Sequence, residues 1–117
     1  MPLITVKTST PALEPPAAQV LLLQLSAQLA SLLGKPERYV MTTLESDASM
    51  TFAGDPAPAA YVEVKSIGAL EGDRTRELSG ALCSLLQSHL GVPSERIYIG
   101  FEDVPGRLWG WNGGTFG

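Results

Sequence analysis

The sequence predicts an α/β (α+β) domain: two β-α-β units forming a four-stranded sheet, both helices on one face, and a short C-terminal hairpin. Three observations carry this. Ile4-Thr5-Val6-Lys7 returns as Val62-Glu63-Val64-Lys65, 58 residues further on. Each of these strands precedes a leucine-rich amphipathic segment that stops at a glycine, Gly34 or Gly91. Each glycine then opens a similar turn, Gly34-Lys35-Pro36-Glu37-Arg38 or Gly91-Val92-Pro93-Ser94-Glu95-Arg96, and an apolar strand follows. Self-similarity of this kind sets the architecture before any single element is judged.

Taken in order, Leu3-Ile4-Thr5-Val6 alternates apolar and polar positions, the period of a strand with one buried face. The first helix is predicted from Ala18, Leu21, Leu22, Leu25, Leu29, Leu32 and Leu33, which fall on one stripe. Pro15 and Pro16 suit its first turn, where proline gives up no hydrogen bond, and Gly34 suits its end. Gln24, Ser26, Gln28 and Ser31 break the apolar run at helical intervals, so it reads as amphipathic and not as a membrane span. A strand is predicted over Tyr39–Leu44, then a turn-rich loop containing Gly54-Asp55-Pro56-Ala57-Pro58. The second unit follows with Val62–Lys65 and a helix striped by Leu78, Ala81, Leu82, Leu85, Leu86 and Leu90. Glu71 and Asp73 stand near its start, and Cys83 beside its stripe reads as a packed small hydrophobe. The strand Ile97–Phe101 closes on Glu102-Asp103.

A single domain over 1–117 thus holds units at about 2–46 and 60–103 and a tail at 107–117. Strands joined through a helix are parallel within each unit. Thr5, Lys7, Glu63 and Lys65 leave the sheet's other face half-polar, and short unpaired edges invite another copy. In the tail, Arg107-Leu108-Trp109-Gly110-Trp111, Asn112-Gly113-Gly114 and Thr115-Phe116 read as a hairpin with a glycine-rich turn. So small a flap cannot bury Trp109, Trp111 and Phe116 by itself, so they are expected to line a pocket or pack on a neighbour.

Bulk chemistry excludes several classes. A net charge of −4 with no Lys/Arg cluster excludes the electrostatic footprint of a nucleic-acid binder. One cysteine and one histidine exclude an internal disulfide, a CxxC pair and a zinc site. No basic start precedes an apolar run, so no cleaved secretory signal is expected and the chain reads as a cytoplasmic, reduced-compartment protein. Glu14, Glu45, Asp47, Glu71 and Asp73 read as solvated turn and cap acids, and none pair at the spacing of a carboxylate dyad. Met1-Pro2 carries more chemistry. Trimming of the methionine would leave a secondary amine at the head of a strand, and a free α-amine titrates at about 7.7–8, close to the pH at which proton transfer is most effective.

On these residues the chain resembles the macrophage migration inhibitory factor and D-dopachrome tautomerase family, of the tautomerase superfamily that uses an amino-terminal proline. The motifs are Met1-Pro2 opening a strand, Gly34-Lys35-Pro36, Ser66-Ile67-Gly68, Arg96-Ile97-Tyr98-Ile99, and Gly110-Trp111-Asn112 with Thr115-Phe116, spread over the whole chain. The resemblance implies a homotrimeric barrel whose sheets surround a channel, with active sites between subunits. It implies Pro2 as the catalytic base, Lys35 as the cation for a substrate carboxylate and Ile67 as a backbone N–H donor. It also implies Tyr98 from the adjacent subunit, and an aromatic pocket of Trp109, Trp111 and Phe116.

The implied reaction is cofactor-free keto–enol tautomerisation of phenylpyruvate-like acids, with D-dopachrome-type substrates a further option. Implied partners are a small enol or keto acid and copies of the same chain, with no nucleic acid and no membrane insertion. The alternative is a cytokine-like signalling protein, secreted without a leader, in which catalysis is vestigial. Four positions depart from the family pattern. Gly100 stands where mammalian members have an asparagine that bonds a substrate ring hydroxyl, so preference for hydroxylated aryl substrates should weaken. Trp109 replaces a smaller aliphatic residue at the pocket rim, and Ala59 and Val62 replace the family's CxxC, so thiol-oxidoreductase activity is not expected.

Overall fold

The computed structural model describes all residues, 1–117. Its elements are β1 (Leu3–Thr8), α1 (Pro15–Leu33), β2 (Met41–Glu45), β3 (Ala60–Ser66), α2 (Arg74–Leu90) and β4 (Ile97–Asp103). The hairpin β5 (Gly110–Trp111) and β6 (Gly114–Thr115) completes the chain. Strand order in the sheet is β2-β1-β3-β4. β1 runs parallel to β2 and β3 parallel to β4, as the helical crossovers demand. The two units meet through β1 and β3, which pair antiparallel with Ile4 opposite Val64 and Val6 opposite Val62.

That pairing places the apolar alternates of both central strands on one face. Ile4, Val6, Val62 and Val64 are fully buried there against Leu21, Leu25, Leu29 and Leu33 of α1 and Leu78, Leu82 and Leu86 of α2. Each such leucine contributes roughly 1.5–3 kcal/mol of burial, which makes this layer the main source of stability. By length and composition α1 could cross a membrane, yet its leucine row belongs to this core.

Both helices end as the sequence predicts. Gly34 and Gly91 adopt left-handed backbone at φ 63° and 71°, where a side chain would be strained. The Arg74 guanidinium donates to the Leu33 carbonyl at 2.9 Å, so the start of α2 satisfies an orphan acceptor at the end of α1. The strand expected from Tyr39 begins at Met41 instead. Glu37–Tyr39 forms a 3-10 turn, closed by Tyr39 N–H to the Pro36 carbonyl (3.1 Å) and Val40 N–H to the Glu37 carbonyl (3.0 Å). Local hydrogen bonding there takes the donors that an extended strand would have offered to β1.

Candidate active site at the head of β1

Pro2 is buried at the start of β1, and its carbonyl accepts the Met41 N–H at 3.1 Å, extending the β1–β2 ladder by one step. Beside it opens a cavity of about 830 Å³. Pro2, Leu3, Val40 and Met41 line one side, and Val104, Leu108, Trp109, Trp111 and Phe116 another.

The tail reaches this position because Gly106 lets the chain fold back on itself. The Phe116 N–H donates to the carbonyls of Gly106 and Trp109, both at 3.2 Å. A Cβ on Gly106 would lie 2.9 Å from the Phe116 carbonyl oxygen, so only glycine permits that approach. Trp111 and Phe116 then stack, centroids 5.6 Å apart and planes 14° from parallel. Tyr39 stands edge-on to both, at 5.7 Å and 6.1 Å. The hairpin aromatics therefore do line a cavity, and Tyr39 from the 3-10 turn joins them.

Lys35 and Ile67, 32 residues apart, are brought together: the Lys35 ammonium donates to the Ile67 carbonyl at 2.9 Å. Neither lines the cavity itself. The ammonium nonetheless acts on the chain terminus. Burial, and then the positive charge of Lys35, hold the Met1 amine below its ordinary value of 8.0, because both disfavour the protonated form.

Tyr98 lies elsewhere. It pairs with Tyr61, whereas Leu3 pairs with Lys65, four residues along β3, which is about 13 Å of strand. Tyr98 packs on Phe52 with centroids 4.9 Å apart, and with Met50 and Tyr61 it lines a second depression of about 550 Å³. Within one chain, Tyr98 and Pro2 do not share a cavity. A Cβ at Gly100 would lie 3.5 Å from the Tyr61 hydroxyl, an ordinary van der Waals contact, so a phenol stands beside this position. The carboxylate of Glu63 beside it raises the Tyr61 pKa above its ordinary 10.0.

Three contributors take roles that the sequence does not mark. Tyr39 looks like the first residue of a strand. Arg38, which also lines the cavity, looks like a solvated turn charge. Arg96 looks like a strand-leading cation, yet it donates to the carbonyls of Asp55, Ala57 and Pro58 at 2.8–2.9 Å and to that of Phe52 at 3.4 Å. Nowhere do three or more His, Cys, Asp or Glu side chains converge as metal ligands would.

A mixed four-stranded sheet backed by two helices, with a buried proline heading its first strand in an aromatic cavity, is the architecture of the amino-terminal-proline tautomerase class. Comparison with known proteins narrows the class. The family model described as "Macrophage migration inhibitory factor (MIF)" matches residues 1–117. Macrophage migration inhibitory factor of Meriones unguiculatus is 39% identical over 116 residues, covering 99% of this chain and 99% of that protein. The crystal structure of the homologue from Prochlorococcus marinus superposes with a TM-score of 0.94 at 58% identity, covering 98% and 99% of the two chains. The structure of the macrophage migration inhibitory factor from Trichinella spiralis gives 0.87 at 34%, covering 97% and 99%. The chain belongs to the macrophage migration inhibitory factor family. Membership supports tautomerase and cytokine-like function in general terms.

Proposed function

We propose that the chain is a cofactor-free keto–enol tautomerase of phenylpyruvate-like acids, working as a homotrimer with Pro2 as acid and base once Met1 is removed. The observation that carries this is the position of Pro2, buried at the head of β1 beside an aromatic cavity with the Lys35 ammonium close to the chain terminus. An amide nitrogen has no basic lone pair, so Met1 must go. The freed secondary amine then takes the enol hydroxyl proton as the carbonyl forms, and the resulting ammonium returns that proton to the adjacent carbon. One proton moves and no electrons are exchanged, so the amine suffices. Burial and the Lys35 charge, which lower the pKa of the Met1 amine, would favour the neutral form of the Pro2 amine in the same way, and general acid–base assistance of this kind contributes about 10²–10⁴-fold.

In this reading Lys35 gives up its bond to the Ile67 carbonyl to hold the substrate carboxylate, and the Ile67 N–H serves the developing oxyanion. The stacked ring pair of Trp111 and Phe116, with Trp109, takes the aryl group. Tyr98 enters from the neighbouring subunit, in keeping with its place at the far end of its own sheet. The β2 and β4 edges, unpaired in one chain, are where neighbouring copies add.

Ketonisation of phenylpyruvate enol by the wild type, by Pro2→Gly and by a variant with alanine inserted between Met1 and Pro2 tests the reading. Both variants should lose nearly all activity, and full activity in either removes Pro2 as the base. A wild type that is inactive with a verified free Pro2 amine would leave the signalling role as the better account.

A further inference from the structure

The cavity beside Pro2 carries a cation with no partner. Of the charged residues that line it, Lys65 and Glu102 form an ion pair with Nζ–Oε2 at 3.8 Å. Lys35 is not among the lining residues, and its ammonium donates to the Ile67 carbonyl. The third lining charge, Arg38, joins none of the three ion pairs in the chain. Its side chain also makes no hydrogen bond; Arg74 and Arg96 are the arginines that donate them. Its guanidinium instead lies over the ring of Tyr39, 4.8 Å from the centroid, and Tyr39 is wedged edge-on against Trp111 and Phe116.

This arrangement holds an arginine in place without using its chemistry. The cation–π contact draws the exposed guanidinium toward the ring face and leaves its five N–H donors without protein partners. The 3-10 turn Glu37–Tyr39 presents it, and the hairpin supports the ring beneath it. An unspent guanidinium fork is matched by a carboxylate, which it binds through two parallel hydrogen bonds. The overall charge of −4 makes the contrast sharper: an anion approaching this chain meets an unpaired positive group at the aromatic side of the cavity.

We propose that Arg38 is a specificity-determining residue that binds a second carboxylate at the aromatic end of the substrate. The site then takes dicarboxylic enol acids in preference to monocarboxylic ones. This rests on the tautomerase reading above, in which Lys35 has the carboxylate next to the reacting carbonyl. Arg38 cannot be replaced by Lys65 in this role, because that ammonium already faces Glu102.

The test has two arms, both on the full chain with Met1 removed. In the first, kcat/KM is measured for 4-carboxyphenylpyruvate and for phenylpyruvate with the wild type, Arg38→Gln and Arg38→Lys. The wild type should prefer the dicarboxylate, and Arg38→Gln should reduce that preference by about tenfold, the loss of one charge-assisted pair. Arg38→Lys, which keeps the charge and loses the fork, should fall between. An unchanged preference overturns the proposal. In the second arm, quenching of tryptophan fluorescence reports binding of benzene-1,4-dicarboxylate and of benzoate. The dicarboxylate should bind more tightly, with an advantage that shrinks in salt and disappears in Arg38→Gln. Equal affinities in the wild type overturn the proposal. Should no substrate turn over, the tautomerase reading fails on the first arm while the second still decides what Arg38 binds.

Discussion

Arg96 lies over the ring of Phe52, its guanidinium carbon 5.4 Å from the centroid, while its N–H groups reach four carbonyls of the loop that carries that ring. One side chain at the mouth of β4 thus gathers residues 52–58, which have little regular structure of their own beyond a bridge between Phe52 and Asp55. Phe52 in turn packs on Tyr98. Arg96→Ala should leave those carbonyls to water and cost about 2 kcal/mol, read as a lower midpoint in urea. Limited proteolysis should cut first between Phe52 and Pro58. A midpoint within error of the wild type would show that the loop holds itself.

The chain terminus provides a pH prediction. Burial and the Lys35 charge both lower the pKa of the Met1 amine, and under the proposed chemistry the same two causes act on the Pro2 amine once Met1 is removed, so its neutral form should persist to lower pH than a free amine would allow. Activity that needs the neutral amine rises as pH passes upward through that pKa. Lys35→Met removes one of the two causes, so the pKa rises and the acidic limb of the kcat/KM profile moves to higher pH. Lys35→Arg keeps the charge and should leave the limb near its wild-type position. A limb that does not move in Lys35→Met excludes the ammonium as a tuning group.

Gly106→Ala tests how the tail is seated. The added Cβ would sit 2.9 Å from the Phe116 carbonyl oxygen and 3.1 Å from its carbon, both backbone atoms that cannot rotate away. The tail must shift, which loosens the stack of Phe116 on Trp111 and of Tyr39 against both. Thermal unfolding should show a loss of about 1 kcal/mol. KM for an aryl substrate should rise more than kcat falls, since the rings bind and do not transfer the proton.

The core offers a contrast on one helix. Leu25 is fully buried under the sheet, and Leu25→Ala should cost about 3–5 kcal/mol, transfer and cavity together. Leu23, two residues earlier, is 58% exposed, and Leu23→Ala should stay within about 0.5 kcal/mol. Denaturant titration of both variants checks which face of α1 the sheet covers. Comparable losses would mean that another copy of the chain covers the outer face in solution.

The elements were legible because their signals are local: a period of two in β1 and β3, leucine stripes closed by Gly34 and Gly91, and a hairpin turn of Asn112-Gly113-Gly114. Which strands sit at the centre was not legible. The antiparallel meeting of β1 and β3 follows from burying both leucine rows on one face, a condition no short window contains. In the site, Pro2, Trp109, Trp111 and Phe116 were marked by unusual residues in unusual places. Tyr39 and Arg38 were hidden by the 3-10 turn, which resembles a strand start in sequence. Arg96 was hidden because its partners are backbone carbonyls, which every residue possesses. Tyr98 and Pro2 were both marked, yet the register shows that one chain holds them apart, so the proposed site needs another chain.

The backbone repeats itself about the β1–β3 pair, and the chemistry does not. Ala60 occupies in the second unit the place that Pro2 holds in the first, 58 residues on, and the strand, helix and turn around it are close copies. At Ala60 the nitrogen lies between two stretches of chain and is an ordinary peptide amide. Strands, helices and turns can be duplicated along a polypeptide, but an amino terminus cannot. Under the proposed chemistry, the near-symmetric fold can therefore have only one reactive half. The second copy serves differently. In the proposed trimer its outer strand presents Tyr98 to a neighbour's site, though it could never build its own.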